Sequence, residues 1–158
     1  MKQADRPEKI SELLQAARHF CSFSERCTSE VTGKLRSLGA ETTAIPPILH
    51  QLRQEKFLDD ERYARAFTRG KFRNNHWGRI KIRYELEGKG IPDDIILLGL
   101  DEIGEDEYLD MIRNLVQKKS SEIKGEKKLT VRNKIFTFVS GKGFETDLIT
   151  SIIKELNI

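Results

Sequence analysis

The chain of 158 residues is informative first through what it lacks. No run of roughly eighteen apolar residues is present, which excludes a membrane-spanning helix of the usual length. The first residues, Met1 to Arg6, lack the apolar stretch of a secretory signal, so we expect a cytoplasmic protein. The only two cysteines, Cys21 and Cys27, fit no common zinc spacing, and we expect both thiols to be reduced.

Signatures of catalysis and of metal binding are also missing. The three histidines, His19, His50 and His76, lie in distant segments without a helical pair or a cysteine partner. Gly141-Lys142-Gly143 lacks both the earlier glycine and the following Ser or Thr of a nucleotide-binding loop. Asp59-Asp60-Glu61 is better explained as capping and dipole partners at a helix start. The sequence therefore predicts no enzyme, no cofactor and no metal.

What the chain does contain is one pattern of apolar residues and glycine that occurs three times. The middle copy is shifted by 51 residues from the first and by 53 from the third. Each copy has apolar residues four apart, a glycine one turn later and a second apolar stretch. The copies begin Val31, Leu35, Gly39; Ile82, Leu86, Gly90; and Ile135, Val139, Gly143. The glycine fits the left-handed residue that ends a helix. A period of this size is typical of repeated helical units.

We predict an all-α fold of three tandem three-helix repeats, each resembling a helix-turn-helix unit, in an elongated and curved array. The predicted repeats span residues 1–56, 57–104 and 105–158. The lysine-rich interval Gln117 to Lys128 is either an extended helix end or a loop insertion. Lys134 to Ser140 has a β-prone composition, but the repeat register favours a helix there.

The formal net charge of +3 is modest, but its distribution is uneven. Seven basic residues and two acids lie between Arg69 and Lys89, followed by six acids and no base from Asp101 to Asp110. A second basic stretch contains Lys118, Lys119, Lys124, Lys127, Lys128, Arg132 and Lys134. Such stretches can be solvated helix faces, but two of them on consecutive repeats favour a polyanion or an acidic partner.

We predict that the first basic stretch forms a contact surface. Its candidate residues are Arg69, Lys71, Arg73, Arg79, Lys81 and Arg83, together with the aromatic Trp77. Arg79 and Arg83 lie on a different helix face from Ile82 and Leu86, so the basic face can be exposed while the apolar face packs. Trp77 is either an interface anchor or a plug between two helices.

Several motifs resemble those of one known family. They are the run Phe57 to Phe67 (FLDDERYARAF), the run Trp77 to Ile82 (WGRIKI), Glu85-Leu86 and Lys89-Gly90-Ile91, with Cys21-Ser22, Glu25-Arg26-Cys27, Glu30-Val31, Lys34-Leu35 and Gly39 upstream. In this order and at these separations they resemble the RecX family of bacterial regulatory proteins. The resemblance covers roughly residues 8 to 105, and the third repeat matches only in its apolar and glycine positions.

The resemblance implies a cytoplasmic protein without catalytic activity that binds the RecA recombinase, notably its filament on single-stranded DNA. Members of the family typically inhibit the ATPase, strand-exchange and coprotease activities of RecA, and some bind DNA directly. We expect a monomer that docks in the filament groove and so acts in recombination, DNA repair and the SOS response. The alternatives are a DNA-binding helical protein that acts alone and a helical scaffold for some other protein.

Overall fold

The computed structural model describes residues 7–158, and over these residues it contains nine α-helices and no strand. The helices are α1 (Pro7–Phe23), α2 (Thr28–Ser37), α3 (Ile45–Gln54), α4 (Asp60–Asn75), α5 (Arg79–Gly88), α6 (Asp93–Leu100), α7 (Glu105–Glu122), α8 (Lys128–Gly141) and α9 (Thr146–Glu155). A short 3-10 helix, Thr42–Ala44, precedes α3. The all-α prediction is confirmed, and no helix in 7–158 is long and apolar enough to cross a membrane.

The first three helices show why the apolar spacing produces a packed unit. On a helix, residues four apart share a face. The pairs Leu13 and Ala17, Val31 and Leu35, and Ile48 and Leu52 therefore point inward from α1, α2 and α3, and each of these side chains is at most 2% exposed. They form one hydrophobic cluster that also contains Ile45, Leu49 and Leu58. Burial of this cluster is the main stabilising contribution in this part of the chain.

The repeated glycines have the backbone conformation that the sequence predicts. Gly39, Gly90 and Gly143 have φ angles of 84°, 75° and 94°. At the first of these turns the N–H of Ala40 donates to the carbonyl of Leu35 at 3.0 Å, and the equivalent bond of Ile91 in the second repeat is 3.1 Å long. These bonds satisfy carbonyls at the helix end, as in a Schellman motif.

Other local expectations also have clear outcomes. Pro46 and Pro47 lie in the opening turn of α3, where a missing N–H leaves no hydrogen bond unmade. The lysine-rich interval is mostly an extended helix end, because α7 continues to Glu122 and only residues 123–127 connect it to α8. The β-prone segment Lys134 to Ser140 lies inside α8, so the helical interpretation is confirmed.

The described part of the chain divides into two compact units. The first contains residues 7–66 together with Leu86–Gly99, and the second contains Phe67–Glu85 and Leu100–Ile158. The three boundaries fall inside α4, α5 and α6. In the second unit, three aromatic side chains pack together in the core. The ring centroid of Tyr108 is 5.9 Å from that of Phe72, with the rings stacked, and 5.2 Å from that of Phe144, with the rings tilted. The division into repeats 1–56, 57–104 and 105–158 stays a prediction.

Candidate interaction surface

The amino terminus of the basic helix α5 is held by groups from the third repeat. The first N–H groups of a helix have no partner within that helix. Here the N–H of Gly78 donates to the carbonyl of Lys142 at 2.8 Å, and the N–H of Ile80 donates to the carbonyl of Gly143 at 3.0 Å. The N–H of Arg79 donates to the hydroxyl oxygen of Tyr108 at 3.1 Å. The start of α5 is therefore fixed by the turn between α8 and α9 and by α7.

This contact needs glycine on both sides. A Cβ added to Gly78 would lie 2.3 Å from the carbonyl oxygen of Gly143, and one added to Gly143 would lie 2.4 Å from the Cβ of Lys81. Neither distance is possible for real side chains. Gly143 is thus needed both for its left-handed conformation and for the close approach of the two backbones.

Tyr108 forms the polar centre of the same contact. It is fully buried, and its hydroxyl donates to a carboxylate oxygen of Glu145 at 2.5 Å. The guanidinium of Arg79 lies 3.8 Å from the centroid of the Tyr108 ring, in a cation–π arrangement. Burial, and then the hydrogen bond to Glu145, raise the pKa of the Tyr108 hydroxyl well above its ordinary value. The phenol therefore stays protonated and can donate.

Three of the predicted contact residues are neutralised by the acidic stretch that follows them. Arg69 pairs with Glu102 at 3.2 Å and Arg73 with Glu107 at 3.1 Å. Arg79 pairs with Glu105 at 2.7 Å and with Glu145 at 3.5 Å. Three of the six acids that the sequence shows as a separate block, Glu102, Glu105 and Glu107, are thus partners of the first basic stretch. These three arginines are therefore less available to an external anion than Lys71, Lys81 and Arg83.

Trp77 lies between the two lysines of the predicted surface. The ammonium of Lys71 is 4.9 Å and that of Lys81 is 4.5 Å from the centroid of the indole ring. The indole ring of Trp77 also contacts the ring of Phe67 edge-on, with the ring centroids 6.4 Å apart. His76 follows the last residue of α4 and has a left-handed conformation with φ 58°. The chain turns at this residue, which places Trp77 beside α4. Trp77 is half-buried, so it packs against α4 and still presents part of its ring to solvent.

Three cations of the predicted contact surface have no acidic partner in the part of the chain that the structure describes. Among residues 7–158, Lys71, Lys81 and Arg83 take part in no ion pair. Between Lys81 and Arg83 around α5 lie two apolar side chains that the sequence analysis did not select, Ile80 and Tyr84, which are 53% and 73% exposed. Their exposure could have been predicted from the sequence, because Ile82 and Leu86 define the inward face of α5 and positions 80 and 84 face away from it.

The second basic stretch has a different setting. Lys134 pairs with Glu126 at 3.0 Å, and Lys119 pairs with Glu122 at 3.8 Å. Beside these lysines, the end of α7 and the outward face of α8 form an open groove of about 660 Å³. It is lined by Lys119, Ile123, Thr130, Asn133, Lys134, Thr137 and Phe138. Its polar lining consists of hydroxyl, amide and ammonium groups.

The acidic residues at the start of α4 have structural partners. Asp59 accepts a hydrogen bond from the N–H of Arg62 at 3.0 Å, which confirms its interpretation as a helix cap. Asp60 accepts from both the N–H and the hydroxyl of Thr28 at 2.8 Å, and Glu61 pairs with Arg65 at 3.1 Å. Over the part of the chain that the structure describes, no group of His, Cys, Asp and Glu side chains is arranged to hold a metal ion.

Comparison with known proteins agrees with the resemblance noted in the sequence. Residues 59–97 match the family model described as "RecX, second three-helix domain". The chain is 28% identical over 148 residues to the regulatory protein RecX of Geobacillus kaustophilus, covering 94% of this chain but only 55%, about half, of that relative. It is 32% identical over 143 residues to the regulatory protein RecX of Prosthecochloris aestuarii, with 90% of this chain and 92% of the relative covered.

The fold gives the same result. The crystal structure of RecX from Lactobacillus salivarius superposes on this chain with a TM-score of 0.90 at 28% sequence identity, covering 96% of this chain and 99% of that one. Identity above 30% over nearly the whole length of one relative, together with this superposition, confirms the resemblance. The chain belongs to the RecX family of regulatory proteins.

Proposed function

We propose that this protein is a non-enzymatic regulator of the RecA recombinase that binds the RecA filament on single-stranded DNA. In this role it lowers the ATPase, strand-exchange and coprotease activities of the filament, and so acts in recombination, DNA repair and the SOS response. Membership of the RecX family supports RecA as the partner. The observation that supports the contact surface is the group of cations around Trp77 and α5 that have no acidic partner within residues 7–158.

The proposed mechanism is steric and electrostatic. The protein occupies the filament groove and hinders subunit rearrangement or growth, so that hydrolysis slows and disassembly is favoured. Lys71, Lys81 and Arg83 attract acidic groups of the filament, and Trp77 anchors the contact. Because the cations are at least partly exposed, the association should weaken as the salt concentration rises.

Hydrolysis of ATP by RecA on single-stranded DNA tests this proposal directly. The native protein is titrated beside a triple variant, Lys71→Glu, Lys81→Glu and Arg83→Glu. The matched control reverses three exposed lysines of the second basic stretch, Lys118→Glu, Lys124→Glu and Lys127→Glu, and so changes the net charge equally. We expect inhibition by the native protein and the control, and loss of inhibition in the first variant.

Each other outcome has a definite meaning. Inhibition by all three proteins would retain the regulator and reject the proposed contact residues. Inhibition lost only in the control would move the contact to the second basic stretch. If the native protein leaves hydrolysis unchanged at every ratio, the proposed function is wrong.

A stand-alone DNA-binding protein is a second candidate, and one observation favours it. The outward face of α8 carries Thr130, Asn133, Lys134 and Thr137, side chains of the kind that read base edges in a duplex groove. This candidate predicts sequence-dependent binding to duplex DNA without any recombinase. A footprint on duplex DNA that Asn133→Ala abolishes would support it over the RecA regulator.

A further inference from the structure

The outward face of α5 carries an apolar ridge that packing in the protein does not explain. Ile80 and Tyr84 are four residues apart and lie on one face of the helix. Their side chains are 53% and 73% exposed, and Tyr84 is the most exposed large hydrophobic residue among those described. Two large apolar side chains exposed side by side form a patch of the kind that marks interaction sites. A phenol ring held on a rigid helix and left in solvent is therefore available for an external contact.

Cations without acidic partners border this ridge on both sides. At about 100° per residue, Lys81 lies about 60° from Tyr84 around the helix, and Arg83 lies about 60° from Ile80 on the opposite side. In the described chain neither cation forms an ion pair. The acids of α5, Glu85 and Glu87, lie on the same two sides of the helix, one turn after Lys81 and Arg83. Trp77 extends the aromatic surface on the side of Lys81, whose ammonium lies 4.5 Å from its ring.

The combination of groups restricts the ligand that this face fits. Lysine and arginine without partners bind phosphates, and an exposed phenol offers a flat face on which a base can stack. In a duplex the faces of the bases are covered by their neighbours, so an outward tyrosine on a straight helix finds only base edges and backbone. A single strand presents phosphates and uncovered base faces together.

We propose that the outward face of α5 binds single-stranded DNA, with Tyr84 stacking on a base and Lys81 and Arg83 contacting the flanking phosphates. Ile80 and Trp77 provide apolar contacts on either side of the stacked base. The proposal rests on the proposed function, because the strand in question is the one that the recombinase coats, and it names the component of the filament that α5 contacts. It requires binding that depends on the bases as well as on the charge of the strand.

The experiment uses two DNA strands that differ only in their bases. One is a fluorescein-labelled thymine oligonucleotide, and the other has the same length and charge but abasic sites throughout its centre. Binding to the native protein and to Tyr84→Ala and Tyr84→Phe is measured by fluorescence anisotropy without recombinase. Leu129→Ala is the matched control, because Leu129 is 69% exposed but lies on α8. Trp77 is the only tryptophan, so its quenching reports contact at this surface.

We expect the native protein to bind the thymine strand about tenfold more tightly than the abasic strand, since stacking of one base has about this effect. Tyr84→Ala should bind both strands equally, whereas Tyr84→Phe and Leu129→Ala should keep the preference. Circular dichroism and melting temperature should be unchanged in all variants, because both positions are exposed. Equal binding of the two strands by the native protein would overturn the inference, as would preference for duplex DNA.

The same variants separate this inference from the proposed function. If the native protein inhibits RecA but does not discriminate the strands, the base contact is wrong and the regulator stands. If it discriminates the strands but leaves hydrolysis by RecA unchanged, the surface on α5 stands and the regulator is wrong. Where both are right, Tyr84→Ala should need a higher concentration than the native protein for half-maximal inhibition.

Discussion

The glycine turns of the second and third repeats have the same place in the sequence pattern but different tertiary surroundings. Gly90 and Gly143 both end a helix with positive φ, at 75° and 94°. A Cβ on Gly90 would meet no atom within 4 Å in residues 7–158, whereas one on Gly143 would lie 2.4 Å from Lys81. The repeat pattern thus determines local backbone conformation, but it does not reveal which copy is also a packing contact.

The helices α5 and α8 show the same division between inward and outward positions. Ile82 and Leu86 of α5 correspond to Ile135 and Val139 of α8, and all four are fully buried. Shifted by the same 53 residues, the outward positions Trp77, Ile80, Lys81 and Tyr84 correspond to Thr130, Asn133, Lys134 and Thr137. Only the lysine is retained. The core therefore maintains the repeat, and the outward side chains distinguish the surfaces.

The largest effect should come from Gly143→Ala. The new Cβ both strains a backbone with φ 94° and collides with the backbone of Lys81 at 2.6 Å. Positive-φ strain and overpacking together should lower the free energy of unfolding by about 4 kcal/mol. Urea denaturation followed by circular dichroism measures this loss. A loss no larger than that of Gly90→Ala would show that the contact with α5 contributes nothing.

The partner side of the contact gives the next largest effect. Gly78→Ala places a Cβ 2.3 Å from the carbonyl oxygen of Gly143 and disturbs the hydrogen bonds at the start of α5, which should cost about 3 kcal/mol. Gly70→Ala is the control, because in the described chain its Cβ would meet no atom within 4 Å and alanine favours a helix. It should stabilise slightly.

A double variant sharpens this test. If Gly78 and Gly143 support one contact, the double variant should lose less stability than the sum of the losses in Gly78→Ala and Gly143→Ala, because either change alone already separates the two backbones. Full additivity in urea denaturation would indicate two independent defects.

The sequence was sufficient for the features that local chemistry determines. The four-residue spacing of Val31 and Leu35 predicted inward helix faces, and the glycine after them predicted a left-handed turn. Helix ends were less predictable, because the lysines after Gln117 fit either a helix or a loop. There α7 continues to Glu122.

The candidate surface was predictable only in part, because it depends on residues far apart in the chain. The sequence showed the basic stretch and the acidic stretch as separate features, whereas Arg69 and Arg73 are paired with Glu102 and Glu107. Nothing in local spacing indicates which cation has a partner 33 or 34 residues later. The contact of Gly143 with α5 is equally non-local.

Tyr108→Phe tests the polar part of the contact that distinguishes the third repeat. The change removes the acceptor of the Arg79 N–H and the donor to Glu145 while it keeps the buried ring. An N–H left without a partner should lower the free energy of unfolding by about 2 kcal/mol. Thermal and urea unfolding measure it. An unchanged stability would show that water replaces the hydroxyl.

The same hydroxyl predicts a dependence of stability on pH. Burial raises the pKa of Tyr108 in the folded protein, whereas in the unfolded chain tyrosine ionises near pH ~10. Above this pH the folded state holds a proton that the unfolded state has released, so stability falls as pH rises, and below it the stabilisation is complete. Tyr63, whose pKa burial also raises, should contribute likewise. In Tyr108→Phe the free energy of unfolding should therefore fall less steeply with pH above pH ~10, but it should still fall, because Tyr63 remains.

The smallest effect discriminates most sharply between the two turns. Asparagine tolerates a left-handed conformation better than alanine does, but it carries the same Cβ. Gly90→Asn should therefore lower the free energy of unfolding by only about 1 kcal/mol, and by less than Gly90→Ala. Gly143→Asn should be as damaging as Gly143→Ala, because there the collision with Lys81 determines the loss. If the asparagine variant were more stable than the alanine variant by the same amount at both positions, backbone conformation alone would explain both glycines. The third turn would then differ from the second in sequence only.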